Sequence, residues 1–296
     1  YKLKSFESGR SITMERVKDY WGKDLPVNVG TDNYDFVRTD YYRDPTVILE
    51  SFKAGAFDIR SENSAKFWAT AYESPALRDG RFKMETIPTD NPQGMQAFVM
   101  NLRRAIFQDP LVRQAMILAL DFEWSNKTLF FGQYKRTRSY FQNSEMEAKG
   151  LPSPEELKIL EPLRGKIPDE VFTAEYNPPV TDGSGTNAEN LAKAAQLLDQ
   201  AGWKLENGKR VKDGKPFEIE FLLQAGDSFD RIVQPYAKSL ERLGVKLTLR
   251  AVDTAQYQKR NEDFDYDMIS SVFPQSLSPG NEQRDFWGSA AADSPG

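Results

Sequence analysis

The sequence predicts an α/β protein, because strand-like and helix-like patterns alternate along its last third. Apolar residues alternate with polar ones at 217–223 and 245–249, and 266–273 is a third strand-like stretch. Helical spacing of apolar residues covers 187–201 and 228–243, and a glycine ends each of these two stretches. The order β-α-β-α-β predicts a sheet with right-handed crossovers.

The first third of the chain predicts a hairpin followed by one helix. Residues 1–6 and 12–17 are strand-like stretches on either side of a turn that contains glycine. Asp44 precedes a proline, a combination that favours a helix start, and Gly55 favours the helix end. A short strand is expected at 57–59.

The middle of the chain predicts a partly buried helix and an irregular connection. Asp109 also precedes a proline, and 111–120 carries apolar residues at helical spacing. Six prolines between 151 and 185 exclude long helices and strands there. We expect this connection to pack on a larger body, with a mobile linker as the alternative. The expectation of packing rests on Leu157, Leu160, Val171, Phe172 and Tyr176.

Two positions qualify the helices of the last third. Pro235 lies inside the stretch 228–243, so that helix is expected to bend there or to begin late. Thr254 is expected to cap a further short helix, because its hydroxyl can accept a hydrogen bond from the first turn.

The composition excludes several classes of site. The chain contains neither cysteine nor histidine, which removes Ser-His and Cys-His pairs, histidine acid-base catalysis and the usual nitrogen and sulfur ligands of zinc. The 39 basic residues are scattered among 44 acidic ones, so no basic stripe for nucleic acid is predicted. The longest apolar run, 115–120, is far below the ~20 residues of a membrane-spanning helix. Neither a cofactor nor a metal is predicted.

Four stretches carry the motifs of a known family. The most specific is FVMNLRRAIFQDPLVRQAMILALDFEW at 98–124. Shorter matches are KDYWG at 18–22, ILESFKAGAFDI at 48–59, and NLAKAAQLLDQAGW at 190–203, in which Gln200 stands where the family usually has glutamate. The matched positions of the first stretch are Asn101, Asp109, Val112, Arg113, Gln114, Ala115, Ala119 and Asp121.

Through these motifs the chain resembles the extracellular solute-binding proteins of family 5, which bind oligopeptides, dipeptides or nickel. The stretches 133–162 and 271–289 are similar to its branch of microcin C and oligopeptide binders. The resemblance implies a periplasmic-binding-protein-like fold of type II, which has two lobes. Residues 1–93 are expected to be the end of the first lobe and 94–296 most of the second. Family members have further sequence on both sides, so the chain is interpreted as a fragment that by itself binds ligand weakly or not at all.

The resemblance also implies a function. We expect the substrate-binding component of an ABC importer, a periplasmic monomer that captures oligopeptides or peptide-like compounds and delivers them to the membrane permease. In cells without an outer membrane it would be extracellular and membrane-associated. A peptide-binding chaperone or sensor that never meets a transporter is the alternative.

An enzyme is the remaining class. The carboxylate pairs Glu155–Glu156 and Asp265–Asp267 are the candidates for a hydrolase, which needs two carboxyl groups with separated pKa values. Chance pairs are expected among 44 acidic residues, so no catalytic residue is predicted.

The predicted ligand-binding residues lie on two segments. In peptide-binding relatives, an aspartate shortly after the strand equivalent to 266–273 holds the amino terminus of the ligand. Residues 273–282 contain no aspartate here, and Glu282 is the candidate substitute. Arg136 and Arg138 suit a carboxylate or a phosphate, although arginines are also common on solvated surfaces. The full set is Arg136, Arg138, Tyr140, Ser271, Phe273, Gln275, Ser276, Asn281, Glu282 and Trp287.

Two parts of this set retain two interpretations. The backbone of 270–276 either faces the ligand or closes the sheet. Phe286 and Trp287 form either an aromatic wall of the pocket or a buried anchor.

Several charged and aromatic residues of the motifs have a structural interpretation instead. Asp109 and Asp121 are predicted to cap helices, and Arg113 is predicted to bind carbonyl groups or an acidic partner. Tyr20-Trp21-Gly22 is predicted to serve packing rather than recognition.

Overall fold

The computed structural model describes residues 1–42, 44–227 and 229–294. The chain forms two compact units, residues 1–85 and residues 86–296. The lobe boundary expected from the resemblance, between residues 93 and 94, lies a short way beyond this division.

Within its described residues, unit 1 (residues 1–85) combines a small antiparallel sheet with three helices. The predicted hairpin is confirmed, and a third strand, which the sequence did not predict, pairs with its second strand. The helix predicted after Asp44 is also confirmed, since the Asp44 side chain accepts a hydrogen bond from the N–H of Thr46. In chain order the elements are β1 (Lys2–Glu7), β2 (Ser11–Glu15), β3 (Phe36–Asp40), α1 (Pro45–Lys53), α2 (Ala65–Thr70) and α3 (Pro75–Arg78).

The strand predicted at 57–59 is wrong. This segment forms a bend, and the ring of Phe57 lies 5.6 Å from that of Phe52 in α1. Phe52 also lies 5.2 Å from Phe82 and 6.3 Å from Tyr72. Aromatic packing, and not strand pairing, therefore fixes this part of unit 1.

The packing role predicted for Tyr20-Trp21-Gly22 is wrong for Trp21. The segment lies among turns, and Trp21 is 82% exposed. Its ring lies 5.5 Å from that of Tyr20, which is itself exposed.

A buried ion pair stabilises the interior of unit 1. The side chains of Arg60 and Glu62 are 12% and 4% exposed, with 3.0 Å between Nη2 and Oε2. The Glu62 carboxylate also accepts hydrogen bonds from the Tyr72 hydroxyl at 2.7 Å and the Ser64 N–H at 2.8 Å. Burial by itself raises the pKa of Glu62, but these hydrogen bonds outweigh it and lower the pKa overall. The charged carboxylate therefore joins the start of α2 to Tyr72.

Unit 2 (residues 86–296) contains most of the helices and two sheets. Within the described residues, no helix combines the length and apolar character needed to cross a membrane. Its helices are α4 (Pro110–Leu118), α5 (Phe122–Thr128), α6 (Pro154–Leu160), α7 (Glu170–Thr173), α8 (Ala188–Gln200), α9 (Asp230–Arg242), α10 (Thr254–Glu262) and α11 (Glu282–Trp287), with short 3-10 turns at Ala105–Phe107, Glu161–Leu163 and Ser289–Ala291. Its strands are β4 (Met95–Met100), β5 (Lys204–Glu206), β6 (Lys209–Lys212), β7 (Lys215–Pro216), β8 (Glu218–Gln224), β9 (Lys246–Val252) and β10 (Met268–Phe273).

The main sheet of unit 2 has the strand order β4-β10-β8-β9. Strands β8, β9 and β10 are parallel to one another, and β4 runs antiparallel to β10. The α/β class and the predicted β-α-β-α-β succession are therefore confirmed. The small sheet β5-β6-β7, inserted between α8 and β8, was not predicted.

Helices cover both faces of the main sheet. Phe221 of β8 is fully buried in a cluster with side chains of α4, α8 and α9, among them Val112 and Leu240. The next residue, Leu222, is fully buried on the opposite face, in a cluster with Tyr257 of α10. A strand that is buried on both faces carries consecutive apolar residues, which explains the run Phe221–Leu223.

The structural roles predicted for the charged motif residues are confirmed. Asp109 accepts a hydrogen bond from the N–H of Leu111 at 2.9 Å, and Asp121 accepts one from the N–H of Trp124 at 3.0 Å. Arg113 donates hydrogen bonds to the carbonyl oxygens of Phe107 and Gln108 at 2.7 and 2.9 Å. These contacts hold the chain turns that begin α4 and α5. 

Three details of the last third differ from expectation or qualify it. Helix α9 begins at Asp230 and continues through Pro235. The start predicted at Ser228 lies outside the described residues. Helix α10 is capped by Asp253, whose side chain accepts the N–H of Gln256, and Thr254 is its first residue. Aspartate caps at least as well as threonine, and a single-residue shift separates the two assignments.

The proline-rich connection contains only short helices, as predicted. Leu157, Leu160 and Phe172 are half-buried, which agrees with packing of this segment. Val171 and Tyr176 are exposed, so the expectation of packing is wrong for these two residues. Short helices with many proline breaks turn some of their apolar side chains outward.

Arg210 of β6 is a buried charge that the sequence analysis missed. Its side chain is 4% exposed, and its Nη1 lies 2.7 Å from Oδ1 of Asp199. The guanidinium also donates to the carbonyl oxygens of Leu243 and Trp203, both at 2.9 Å. A cation at the carboxyl ends of α8 and α9 satisfies carbonyl groups that the helices leave unpaired.

We expect Arg210→Met to lower the free energy of unfolding by roughly 2–4 kcal/mol, because it leaves several buried carbonyl groups without a donor. Chemical denaturation followed by circular dichroism measures the change. Arg250→Met is the matched control, since Arg250 is exposed on β9. Equal stability of the two variants would contradict this role of Arg210.

Candidate functional site

The carboxyl ends of the parallel strands form the best candidate site in unit 2. Ligands of open α/β sheets commonly bind at this edge. A cavity of about 290 Å³ lies there, and the sequence-predicted residue Ser271 is part of its wall. Its polar lining consists of Gln96, Gln224, Asp227, Tyr257, Ser270 and Ser271.

An aromatic cluster continues this edge from the last residue of β10. We define the aromatic cluster as Tyr140, Phe273, Phe286 and Trp287. Tyr140 lies 4.6 Å from Trp287 and 5.7 Å from Phe273 between ring centroids. Phe273 and Trp287 stack at 6.2 Å with 18° between their planes. Three of these residues were predicted as ligand-binding, and the structure brings them together.

The aromatic cluster retains accessible surface. Trp287 is 49% exposed and Tyr140 is 37% exposed. A buried anchor would lose nearly all of its exposure, so the interpretation of Trp287 as an anchor does not fit these values. Burial of its ring nevertheless raises the pKa of Tyr140, with a smaller contribution from Tyr176. The Tyr140 hydroxyl therefore stays protonated at neutral pH and can donate a hydrogen bond.

A chain of amide groups leads from Trp287 to Gln275. Nε1 of Trp287 donates to Oε1 of Gln283 at 3.0 Å, and Nε2 of Gln283 donates to Oε1 of Gln275 at 2.6 Å. An indole N–H can only donate, so it fixes the orientation of both amides. Nε2 of Gln275 is consequently a buried donor that has no acceptor among the described residues.

The loop before α11 forms a hydrogen bond with the carboxylate of Glu282, the first residue of that helix. Oε1 of Glu282 accepts the N–H of Gly280 at 2.7 Å and Nε2 of Gln283 at 3.2 Å. The backbone hydrogen bond from Gly280 lowers the pKa of Glu282, and the backbone N–H of Glu282 and the side chain of Gln283 lower it further. Ser276 and Asn281 are exposed on the same loop. Gln275 and Glu282 of the predicted set both accept from Nε2 of Gln283, which links them to Trp287.

The two predicted arginines differ sharply in their surroundings. Arg138 forms ion pairs with Glu147 at 3.2 Å and with Glu175 at 3.5 Å. Arg136 is half-buried above the ring of Phe122, with its guanidinium carbon 5.5 Å from the ring centroid. Burial lowers the pKa of Arg136, which nonetheless remains charged at neutral pH.

The carboxylate pairs considered for a hydrolase have structural partners. Asp265 pairs with Arg104 at 3.1 Å and with Arg260 at 3.0 Å. Asp267 accepts the N–H of Glu220 at 2.8 Å, which joins the entry of β10 to β8. 

The second carboxylate pair, Glu155 and Glu156, lies at the start of a helix. Ser153 and Glu156 form a reciprocal cap at the start of α6, and Glu155 lies in the same first turn. Among the residues that the structure describes, no group of acidic side chains is arranged to hold a metal ion.

Sequence reasoning missed several residues of this edge. Gln224 and Asp227 follow the apolar run of β8, and Gln96 lies at the start of β4. Polar residues directly after a buried parallel strand are the signal that predicts such positions. Gln283 gave no comparable signal, because its role depends on hydrogen bonds within α11 and the loop before it.

Comparison with known proteins shows similarity along the whole chain. The family model of bacterial extracellular solute-binding proteins, family 5 (middle), matches residues 1–294. A protein designated y4wM from Sinorhizobium fredii is 46% identical over 100% of this chain and 45% of its own length. The probable peptide-binding protein YejA from Agrobacterium fabrum is 41% identical over 100% of this chain and 49% of its own length. The chain therefore spans about half the length of these relatives.

A solved structure shows the same fold. The oligopeptide-binding protein AppA from Bacillus subtilis, in complex with a nonapeptide, superposes with a TM-score of 0.69 at 22% identity. The match covers 99% of this chain and 50% of AppA. At this level of identity the likeness concerns the fold alone.

We expect Arg138→Met to lower the free energy of unfolding by about 1–2 kcal/mol, because it leaves the Glu147 carboxylate, whose side chain is 10% exposed, without its arginine. Thermal and urea unfolding measure the loss. Arg164→Met is the matched control, since Arg164 pairs with Glu161 on the exposed surface, where ion pairs contribute little. If Arg138→Met were as stable as this control, Arg138 would have no structural role.

Proposed function

Because this chain belongs to the bacterial extracellular solute-binding proteins of family 5, we propose that it forms part of the ligand-binding component of an ABC importer. Its fold is that of the type II periplasmic binding proteins, as the sequence predicted. The family consists of binding proteins, which confirms that the chain is not an enzyme. The ligand of the proposal is a peptide or a peptide-like compound.

In this proposal the two units belong to two lobes of a longer protein. Unit 1 belongs to the first lobe and unit 2 to the second. The edge of the main sheet at the carboxyl ends of its parallel strands faces the ligand. The proposal rests on the relatives, which are about twice as long as this chain. Closure of two lobes around a ligand is the usual mechanism of such proteins.

The observation that carries the ligand class is the aromatic cluster beside the polar cavity. Partly exposed aromatic rings supply large apolar contact area, and a few polar groups nearby orient the ligand. Peptides suit this combination, because their side chains are apolar or aromatic at many positions and their backbone offers donors and acceptors. YejA is described as a probable peptide-binding protein, and AppA holds a nonapeptide, which supports the same class.

The proposed partner is the permease of an importer, and the proposed location is the periplasm, with the protein acting as a monomer. Delivery to a permease separates this proposal from a chaperone or a sensor. Deletion of the gene should abolish uptake of the bound compound, whereas a chaperone or sensor would leave uptake unchanged.

The proposal is tested by native mass spectrometry of the gene product that carries this chain, purified gently from cells. We expect adducts of peptide mass that are lost on denaturation. Adducts of a single mass that fragment as a non-peptide would show a different ligand. A protein that stays free of adducts and retains no peptide from a protein digest would contradict peptide capture.

We expect Trp287→Ala to weaken binding of the captured peptides by about tenfold or more, because the substitution removes a large part of the aromatic contact area. Isothermal titration calorimetry with those peptides measures the change. Ile159→Ala is the control, since Ile159 is 74% exposed on α6 and lies outside the proposed site. Unchanged affinity in Trp287→Ala, with Ile159→Ala also unchanged, would remove the aromatic cluster from the binding site.

A further inference from the structure

Arg136 is a half-buried arginine that makes no ion pair and no hydrogen bond within the described residues. Among the residues that the structure describes, none accepts a hydrogen bond from Arg136 or forms an ion pair with it. Its guanidinium carbon lies 5.5 Å from the centroid of the Phe122 ring. A buried charge normally has a partner, because removing it from water costs several kcal/mol, on the order of the Born penalty after relaxation.

Three other arginines of unit 2 have the hydrogen bonds and ion pairs that Arg136 lacks among the described residues. Arg210 donates to three carbonyl oxygens and a carboxylate, and Arg113 donates to two carbonyl oxygens. Arg138, two residues from Arg136, has two glutamate partners. The guanidinium of Arg136 alone among these four lacks an acceptor within the described part of the chain.

The carboxylate of Glu123 also influences Arg136, but its hydrogen bonds are to Thr181. It accepts hydrogen bonds from the N–H and the hydroxyl of Thr181, at 2.9 and 3.1 Å. Burial lowers the pKa of Arg136, and Tyr176 and Glu123 oppose that shift only in part. Glu123 therefore acts on Arg136 through its charge and makes no ion pair with it.

Tyr176 acts electrostatically on both Arg136 and Tyr140 of the aromatic cluster. After burial, the largest influence on the pKa of Arg136 and on that of Tyr140 is the same residue, Tyr176. Tyr176 is 62% exposed, so this neighbourhood opens to solvent. Arg136 also precedes Tyr140 by four residues, which limits the distance between their Cα atoms to about 14 Å even in a fully extended chain. An extended ligand on the aromatic cluster can span that distance.

We propose that Arg136 binds a carboxylate of the ligand, so that the site takes acidic peptide-like compounds in which a carboxylate lies beside the group held by the aromatic cluster. A guanidinium binds a carboxylate through two parallel hydrogen bonds, and one such group balances its single charge. The buried Nε2 of Gln275, which is linked to Trp287 through Gln283, also lacks an acceptor among the described residues, and this agrees with a ligand rich in acceptor oxygens. The inference rests on the proposed function and specifies its ligand class.

The first test concerns the protein without ligand. In chloride, Arg136→Met should unfold at the same temperature as the wild-type protein or at a higher one, since it removes a charge that has no partner. Replacing chloride by acetate at equal ionic strength should raise the melting temperature of the wild-type protein by about 2–4 °C more than that of Arg136→Met. A lower melting temperature of Arg136→Met in chloride, or equal acetate effects, would show a structural role and overturn the inference.

The second test uses two peptide pools from the same casein digest, one untreated and one with every carboxyl group converted to its methyl ester. The gene product that carries this chain should retain peptides from the untreated pool at least about tenfold better than from the esterified pool. Arg136→Met should lose this preference, and Arg250→Met, which removes an exposed arginine on β9, should keep it.

The outcomes separate the two proposals. Equal retention of both pools by the wild-type protein would overturn the role of Arg136 and leave peptide capture intact. If the wild-type protein retained neither pool, peptide capture would fail, and the acetate measurement would still decide whether Arg136 binds a carboxylate.

Discussion

The main sheet of unit 2 depends on the contact between Asn101 and the segment that enters β10. The Asn101 side chain donates to the carbonyl oxygens of Phe264 and Tyr266 at 2.9 and 2.8 Å, and its backbone N–H donates to that of Asp267 at 2.9 Å. Asn101 is 3% exposed, so these buried groups depend on one another. The contact starts the pairing of β10 with β4 at Met268 opposite Met100.

That starting point decides which residues reach the site. Side chains alternate along a strand, so a slip of one residue would exchange the two faces of β10. With the observed register, Ser271 lies opposite Ala97 and Phe273 opposite Met95. The wall of the cavity and the first ring of the aromatic cluster therefore depend on hydrogen bonds made at the other end of the strand.

The charged groups of unit 2 divide into those that hold the fold and those that remain available. Asp267, Arg210 and Arg138 each have partners that account for their charge. Arg136 has a ring beneath it and no acceptor in the described part of the chain. A partly buried charge without an acceptor lowers the stability of the ligand-free protein. In our proposal, the ligand carboxylate supplies the acceptor.

The α/β class, the succession of strands and helices in the last third, and the caps at Asp109 and Asp121 were predictable without a structure, because they follow from local spacing and local hydrogen bonds. The family was predictable too, from motifs spread over the chain. The folded structure was needed to show that Tyr140 meets Phe273 and Trp287, and that Arg138 is paired while Arg136 has no acceptor among the described residues. These facts depend on contacts between segments that are distant in sequence, where no periodicity or turn residue specifies which side chains meet.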